Sequence, residues 1–381
     1  MIYFDNAATT YPKPEIVYER MDKFYRNFGV NAGRGSYNAA NKASKLVEDT
    51  RKKVGSLIGI NKKDKVAFTE SATIALNLIL KGLEWKEGDV IYYSPFEHNS
   101  VLRTLNYLQN KYSIKLKQMP VKRNGLEFDL DRLKQMFSKN SPKLVAVSHV
   151  SNVCGVIAPI DAIAKLAKKY NSQVLVDGAQ GAGLIDVDLD DIDYYVWAGH
   201  KTLYGPYGIA GVIINEDMEE ISPLIHGGTG KASEKEDMPE EIPIRYEAGS
   251  SNIQAITGLN ASLKWMNNIG RENIYNHEKE LTLNLIEVLN DYIDVNLFTP
   301  EDLSNHFNVV SINVSGYSPH DFGKILDEKF DIAVRTGLHC APQAHEFFDT
   351  MPNGLVRFSL GYFNTEKDIE ELKKFLSGFL I

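Results

Sequence analysis

Six short runs rich in Val, Ile and Tyr alternate with stretches of helical spacing, and this alternation restricts the fold more than any other feature of the chain. The runs cover 65–69, 89–94, 143–148, 173–177, 193–197 and 209–214, and the apolar spacing between them predicts helices over 72–83, 99–112, 129–138 and 160–170. Strands that alternate with helices pair mainly in parallel and are covered on both faces, so an α/β class is expected. Such sheets hold ligands beyond the carboxyl ends of their strands, where loops lead into helices. Chemistry is therefore expected just after each run.

Beyond about residue 255 the pattern changes to long helices over 254–269 and 271–289, strands over 308–314 and 332–335, and a closing helix over 365–379. A chain of 381 residues exceeds one compact core. The expected division is a large domain over 15–255 and a smaller α+β domain made of 1–14 with 256–381. The polar, Glu-, Gly- and Pro-rich stretch 227–243 reads as a mobile or partner-contacting insertion.

Charge and cysteine usage remove several functional classes. Forty-two basic residues stand against fifty acidic ones, for a net charge of −8, and the lysines are scattered, so no nucleic-acid partner is expected. The first residues carry no basic, apolar leader and no run approaches twenty apolar residues, which predicts a cytoplasmic protein without a membrane span. The two cysteines, Cys154 and Cys340, suit a reducing compartment and leave no basis for a disulfide framework or a cysteine-built metal site.

Unusual residues fall where the sheet predicts them. Asp177 ends an apolar run in the sequence Val174-Leu175-Val176-Asp177-Gly178-Ala179-Gln180, a setting for a carboxylate under a cationic ring nitrogen or for a helix cap. Lys201 follows the next run in Gly199-His200-Lys201. It is either a solvated surface amine or, desolvated at the sheet rim, a Schiff-base former. Ser71, Ala72 and Thr73 open a helix and offer amides and hydroxyls to a phosphate, as a simple capping sequence also does. His98 follows a strand and can stack on an aromatic ring, move protons or fill a structural role. Cys340, beside His339 and near Arg335, has an electropositive setting that favours the thiolate, whereas Cys154 reads as a small buried residue. Arg357, within an apolar segment, needs an anion: a substrate carboxylate or an internal acid.

These motifs resemble, in order and across nearly the whole chain, the cysteine desulfurase family of the class V aminotransferase superfamily, fold type I of the pyridoxal-phosphate (PLP) enzymes. The carriers are Tyr3-Phe4-Asp5-Asn6-Ala7-Ala8-Thr9-Thr10, the Asp177 and Lys201 motifs, Arg245-Tyr246-Glu247-Ala248-Gly249-Ser250-Ser251-Asn252, and Arg335-Thr336-Gly337-Leu338-His339-Cys340-Ala341. The cysteine motif is similar to that of the group II, SUF-type desulfurases and the selenocysteine lyases. The resemblance implies a PLP link to Lys201, Asp177 on the pyridine nitrogen, His98 stacked on the ring, and Gln180 and Asn152 near the phenolic oxygen. It implies a phosphate site of Ala72, Thr73 and His200, completed across a homodimer by Ser250. Asn6, Arg335 and Arg357 would meet the substrate L-cysteine, and Cys340 would take its sulfur for a thiol or a sulfur-acceptor protein. Ala198, Ser250, Ala72, and Tyr37 after Arg34-Gly35 depart from the family's usual residues. Selenocysteine lyase, cysteine-sulfinate desulfinase, another lyase or transaminase of this fold, and a non-catalytic PLP-binding protein are the alternatives.

Overall fold

The computed structural model describes residues 1–32, 35, 37–60, 65–215, 221–231 and 233–380, so Arg34 of the Arg34-Gly35 pair lies outside the described residues. Strand β1 (Ile2–Tyr3) is followed by helices α1 (Glu15–Phe28) and α2 (Asn38–Ile58). Seven strands then form one sheet: β2 (Val66–Thr69), β3 (Val90–Tyr93), β4 (Lys115–Gln118), β5 (Leu144–Ser148), β6 (Gln173–Asp177), β7 (Tyr194–Ala198) and β8 (Ala210–Ile214). Between them run α3 (Ala72–Gly82), α4 (Asn99–Tyr112), α5 (Leu130–Lys139) and α6 (Ile160–Lys168). The sheet order is β2-β8-β7-β6-β5-β3-β4, parallel from β4 to β7 and antiparallel only at both pairings of β8.

The period of two along each strand divides its side chains between two cores. Tyr92, Val145, Val147, Val174, Val176, Tyr195 and Trp197 pack with α2, α5, α6 and, further along the chain, α7 (Ile253–Ile269). Ile91, Tyr93, Leu144, Ala146, Leu175, Tyr194 and Val196 pack with α3 and α4 on the opposite face. Burial on both faces is why these strands read as continuous apolar runs. The exception is β4, Lys-Leu-Lys-Gln, an exposed edge whose lysines hid it from apolar counting and discourage pairing with other chains.

The remainder builds α8 (Arg271–Asn290), β9 (Val295–Leu297), β10 (Val309–Val314), α9 (Pro319–Phe330), β11 (Ile332–Ala333), β12 (Arg335–Gly337), α10 (Pro342–Phe347), β13 (Leu355–Ser359) and α11 (Glu366–Phe379). Four of these strands form a sheet of order β12-β13-β10-β9 over a separate core that includes Phe4, Phe322, Phe358 and Leu372. The single strand expected over 332–335 is in fact two: β11 pairs in parallel with β1, and after Val334 the chain switches to β12, antiparallel to β13. The described part of 227–243 contains neither helix nor strand.

A glycine locks the sheet's loops to this second core. Gly155 holds φ +66°, and a Cβ there would lie 2.5 Å from the Val309 carbonyl oxygen and 2.7 Å from that of Phe307. Both conflicts are with backbone, which cannot swing away. Gly155→Ala is expected to lower stability by about 2 kcal/mol or more, read as a lower midpoint in urea denaturation.

Candidate active site

The carboxyl ends of β5, β6 and β7 share one rim because their register aligns Ser148 with Asp177 and Asp177 with Val196. Over that rim lies a cavity of about 270 Å³. Its wall includes Ala72, Thr73, His98, Asn152, Asp177, Gln180, His200, Lys201, Arg335, Cys340 and Arg357. Residues scattered from position 72 to position 357 are thus brought together around one space.

At its floor Asp177 is buried and accepts a hydrogen bond from the Ala179 amide (3.1 Å). Burial pushes its carboxyl up, and the nearby Lys201 amine pulls it back down. Lys201 is pushed the opposite way, to about 8: desolvation lowers it first, Asp177 restores part of the shift, Arg357 lowers it and Cys340 raises it. This amine is far closer to its neutral, nucleophilic form at physiological pH than an ordinary lysine.

His98 caps helix α4. Its Nδ1 accepts the Ser100 amide (3.1 Å), and burial together with Lys201 holds it down to about 4, so the ring is neutral with its proton on Nε2. Structural capping and cavity lining are here done by one side chain. Just before it Glu97 is wholly buried, taking hydrogen bonds from Ser94 Oγ (2.5 Å), the Ser148 amide (2.7 Å) and Ser148 Oγ (2.9 Å). Burial, then the Asp177 charge, keep its carboxyl up at about 7. A role for Glu97 had no sequence signal beyond its place beside His98, because nothing local marks it as buried.

The opening of α3 supplies an anion cradle. Ser71 Oγ accepts the Ile74 amide, leaving the first-turn amides of Ala72 and Thr73 outside the helix's own bonding. His200, on the same wall, has a buried Nδ1 without a partner among the described residues, and burial holds the ring down to about 3. Its backbone carbonyl is the anchor for the N-terminal strap, accepting from Lys13 Nζ (2.7 Å), Thr9 Oγ1 (3.0 Å) and the Thr10 amide (3.1 Å).

Arg357, in the middle of β13, answers both expectations made for it. Its Nη2 donates to Asp5 Oδ1 (2.7 Å) and Nη1 to the Asn152 carbonyl (3.0 Å), while Nε is buried and unpartnered among the described residues. The internal acid is Asp5, a residue the sequence pattern singled out only as part of a motif; it also receives Arg335 Nη1 (3.3 Å). The remaining guanidinium hydrogens are available to a ligand carboxylate.

Cys340 is exposed and lines the cavity, whereas Cys154 is buried and its thiol is pushed up to about 11 by burial. The supposed positive charge of His339 is corrected: burial, then Arg357, hold this ring well below the ordinary range, so it is neutral beside the thiol. Arg335 and Arg357 carry the positive field instead. Two candidates lie apart from the cavity. Asn6 is buried with Nδ2 donating to Tyr3 O, Ser359 O and Asn364 Oδ1, and Oδ1 accepting the Tyr11 amide, so it ties strands together and has no donor left for a substrate. Ser250 is exposed and borders a different depression with Thr69, Glu70 and Ile74.

The donor set suits PLP: a carboxylate for a ring nitrogen, an amine for an aldehyde, and two helix amides with an unpartnered imidazole nitrogen for a phosphate. The aminotransferase class-V family model matches residues 2–372. A protein of Pyrococcus abyssi named "Probable cysteine desulfurase" is 36% identical over 383 residues, which cover 97% of this chain and 92% of that one. The apo structure of a cysteine desulfurase from Thermococcus onnurineus NA1 superposes with a TM-score of 0.91 at 35% identity, covering 100% of this chain and 94% of the other. A cysteine desulfurase of Escherichia coli, crystallised as the S-sulfonic acid, gives 0.87 at 26% identity over 100% and 95% of the two chains.

The electrostatics of Lys201 predict its reactivity. In cofactor-free protein, acylation of Lys201 followed by peptide mass spectrometry should rise through a midpoint near pH 8, where the amine loses its proton. Asp177→Asn removes a charge that favours the ammonium form, so the midpoint should move to lower pH.

Proposed function

The chain belongs to the aminotransferase class-V family, and we propose that it is a PLP-dependent cysteine desulfurase, converting L-cysteine to L-alanine while passing the sulfur through Cys340. The observation that carries this reading is that Cys340 and Lys201, far apart in sequence, line one cavity with Asp177 and Arg357. The amine near pKa 8 is the natural point of attachment for the cofactor's aldehyde.

Arg357 holds the substrate carboxylate through its uncommitted N–H groups, with Asp5 and the Asn152 carbonyl fixing the guanidinium from behind. His98 covers the ring, Gln180 and Asn152 stand at its phenolic edge, and Ala72, Thr73 and His200 take the phosphate. PLP, when bound, supplies an electron sink for the carbon acid, sustained by Asp177 keeping its ring nitrogen protonated. Lys201 removes the Cα proton of the substrate. The Cys340 thiolate then attacks the substrate sulfur: an S–S bond forms, the Cβ–S bond breaks, and its electron pair stays on carbon. Protonation of that carbon, which His98 is placed to assist, yields alanine, and Cys340 keeps the sulfur as a persulfide for an acceptor thiol or protein.

The protein acts as a homodimer, in which the exposed Ser250 of each copy completes the other's phosphate site. This accounts for a residue of the phosphate motif that lies outside the cavity of its own chain. Among the described residues no helix is long and apolar enough to cross a membrane.

Incubation of PLP-loaded protein with L-cysteine should give equal alanine and transferable sulfur, with the Cys340 peptide heavier by one sulfur atom. Cys340→Ser should cut cysteine turnover by about a hundredfold or more, as loss of a covalent acceptor does. Full cysteine turnover in that variant would instead favour a lyase that needs no acceptor thiol, such as one acting on selenocysteine or cysteine sulfinate.

A further inference from the structure

The loop that carries Cys340 is held in a costly shape. His339 at φ +48° and Cys340 at φ +56° are consecutive non-glycine residues in the left-handed region, directly after Gly337 at φ +98°. Side chains avoid this region because Cβ crowds the backbone, so such a pair persists only where neighbours over-determine it. The holding contacts are few. The Asn99 amide donates to the Cys340 carbonyl (2.6 Å), the Ala341 amide to the Leu338 carbonyl (2.9 Å), and the Asn152 side chain, through Nδ2, to the His339 carbonyl (2.7 Å). Only the last is made by a side chain. Asn152 is itself buried, and its own backbone carbonyl is the one that receives Arg357 Nη1.

We propose that Asn152 is a positioning residue for sulfur transfer: one residue ties the guanidinium that grips the substrate to the peptide that presents the Cys340 thiol. The inference rests on the desulfurase reading and adds to it a division of labour. The Asn152 backbone fixes where the substrate carboxylate is held, and the Asn152 side chain fixes where the attacking sulfur stands. Removing the side chain therefore loosens the thiol and leaves the carboxylate grip in place. A residue that served only the cofactor's edge would weaken every reaction of the cofactor alike.

Cysteine sulfinate separates the two. Its sulfur leaves as sulfur dioxide with the electron pair remaining on carbon, so it needs no acceptor thiol. In PLP-loaded Asn152→Ala and Asn152→Ser protein, the ratio of turnover on L-cysteine to turnover on cysteine sulfinate should fall by about tenfold, the effect of losing one buried hydrogen bond that holds a reacting group. The KM for cysteine should change far less than this ratio. Without substrate, alkylation of Cys340 by iodoacetamide, followed by mass spectrometry, should accelerate severalfold as the loop is freed. If the ratio is unchanged while both activities fall, or if the alkylation rate does not move, Asn152 does not position the thiol. The alkylation measurement also serves a variant that retains cofactor poorly, since it needs none. Failure of the unsubstituted protein to form a Cys340 persulfide is a different outcome, which removes the desulfurase reading itself.

Discussion

The mutual hold of Asp177 and Lys201 is the constraint around which the site is organised. Each charge is expensive at the buried rim of a parallel sheet, and each lowers the cost of the other. The balance leaves a carboxylate below the cavity floor and an amine close to neutrality above it. The sheet makes this possible: β5, β6 and β7 end in register, so the loops after them deliver Ser148, Asp177 and the Lys201 turn to one edge. The buried Glu97, hydrogen-bonded to three donors there, ties the His98 turn to the same edge without adding a solvated charge.

A second charge cluster serves the opposite wall. Asp5 lies between Arg357 and Arg335, and one of those arginines is nearly inaccessible to solvent. Breaking a buried pair by removing one member is costly, since the other is left uncompensated. Here the pairing also orients a guanidinium whose remaining donors face the cavity. The same arginines give Cys340 its positive surroundings, a role that His339 cannot fill while it is neutral.

Much of this was visible in the amino-acid order, for identifiable reasons. Strands buried on both faces, such as β6 and β7, announce themselves as apolar runs, and the Gln173–Asp177 strand was bounded correctly from the sequence. Residues placed by strand ends, including Asp177, Lys201 and His98, could be read because a parallel sheet assigns its chemistry to that position. What escaped was set by contacts distant in sequence. The polar edge strand β4 lacks an apolar signature, Asn6 is committed to backbone carbonyls from both chain ends, and Asp5 finds its arginines more than three hundred positions away. The division of 332–335 into two strands has the same origin, because sheet partners and not local propensity decide where a strand stops.

The meeting of the two chain ends also bears on biosynthesis. β1 is held by β11, and Asp5 sits against Ser359 and Arg357, so a nascent chain emerging from the ribosome can complete the seven-stranded sheet while the opening strap still lacks its partners. The thiol wall and the carboxylate grip arrive only with the final segment. A translation product truncated before β12 would own the amine and the acid of the sheet rim but neither the sulfur-bearing loop nor the arginine of β13, an arrangement that confines sulfur chemistry to finished molecules.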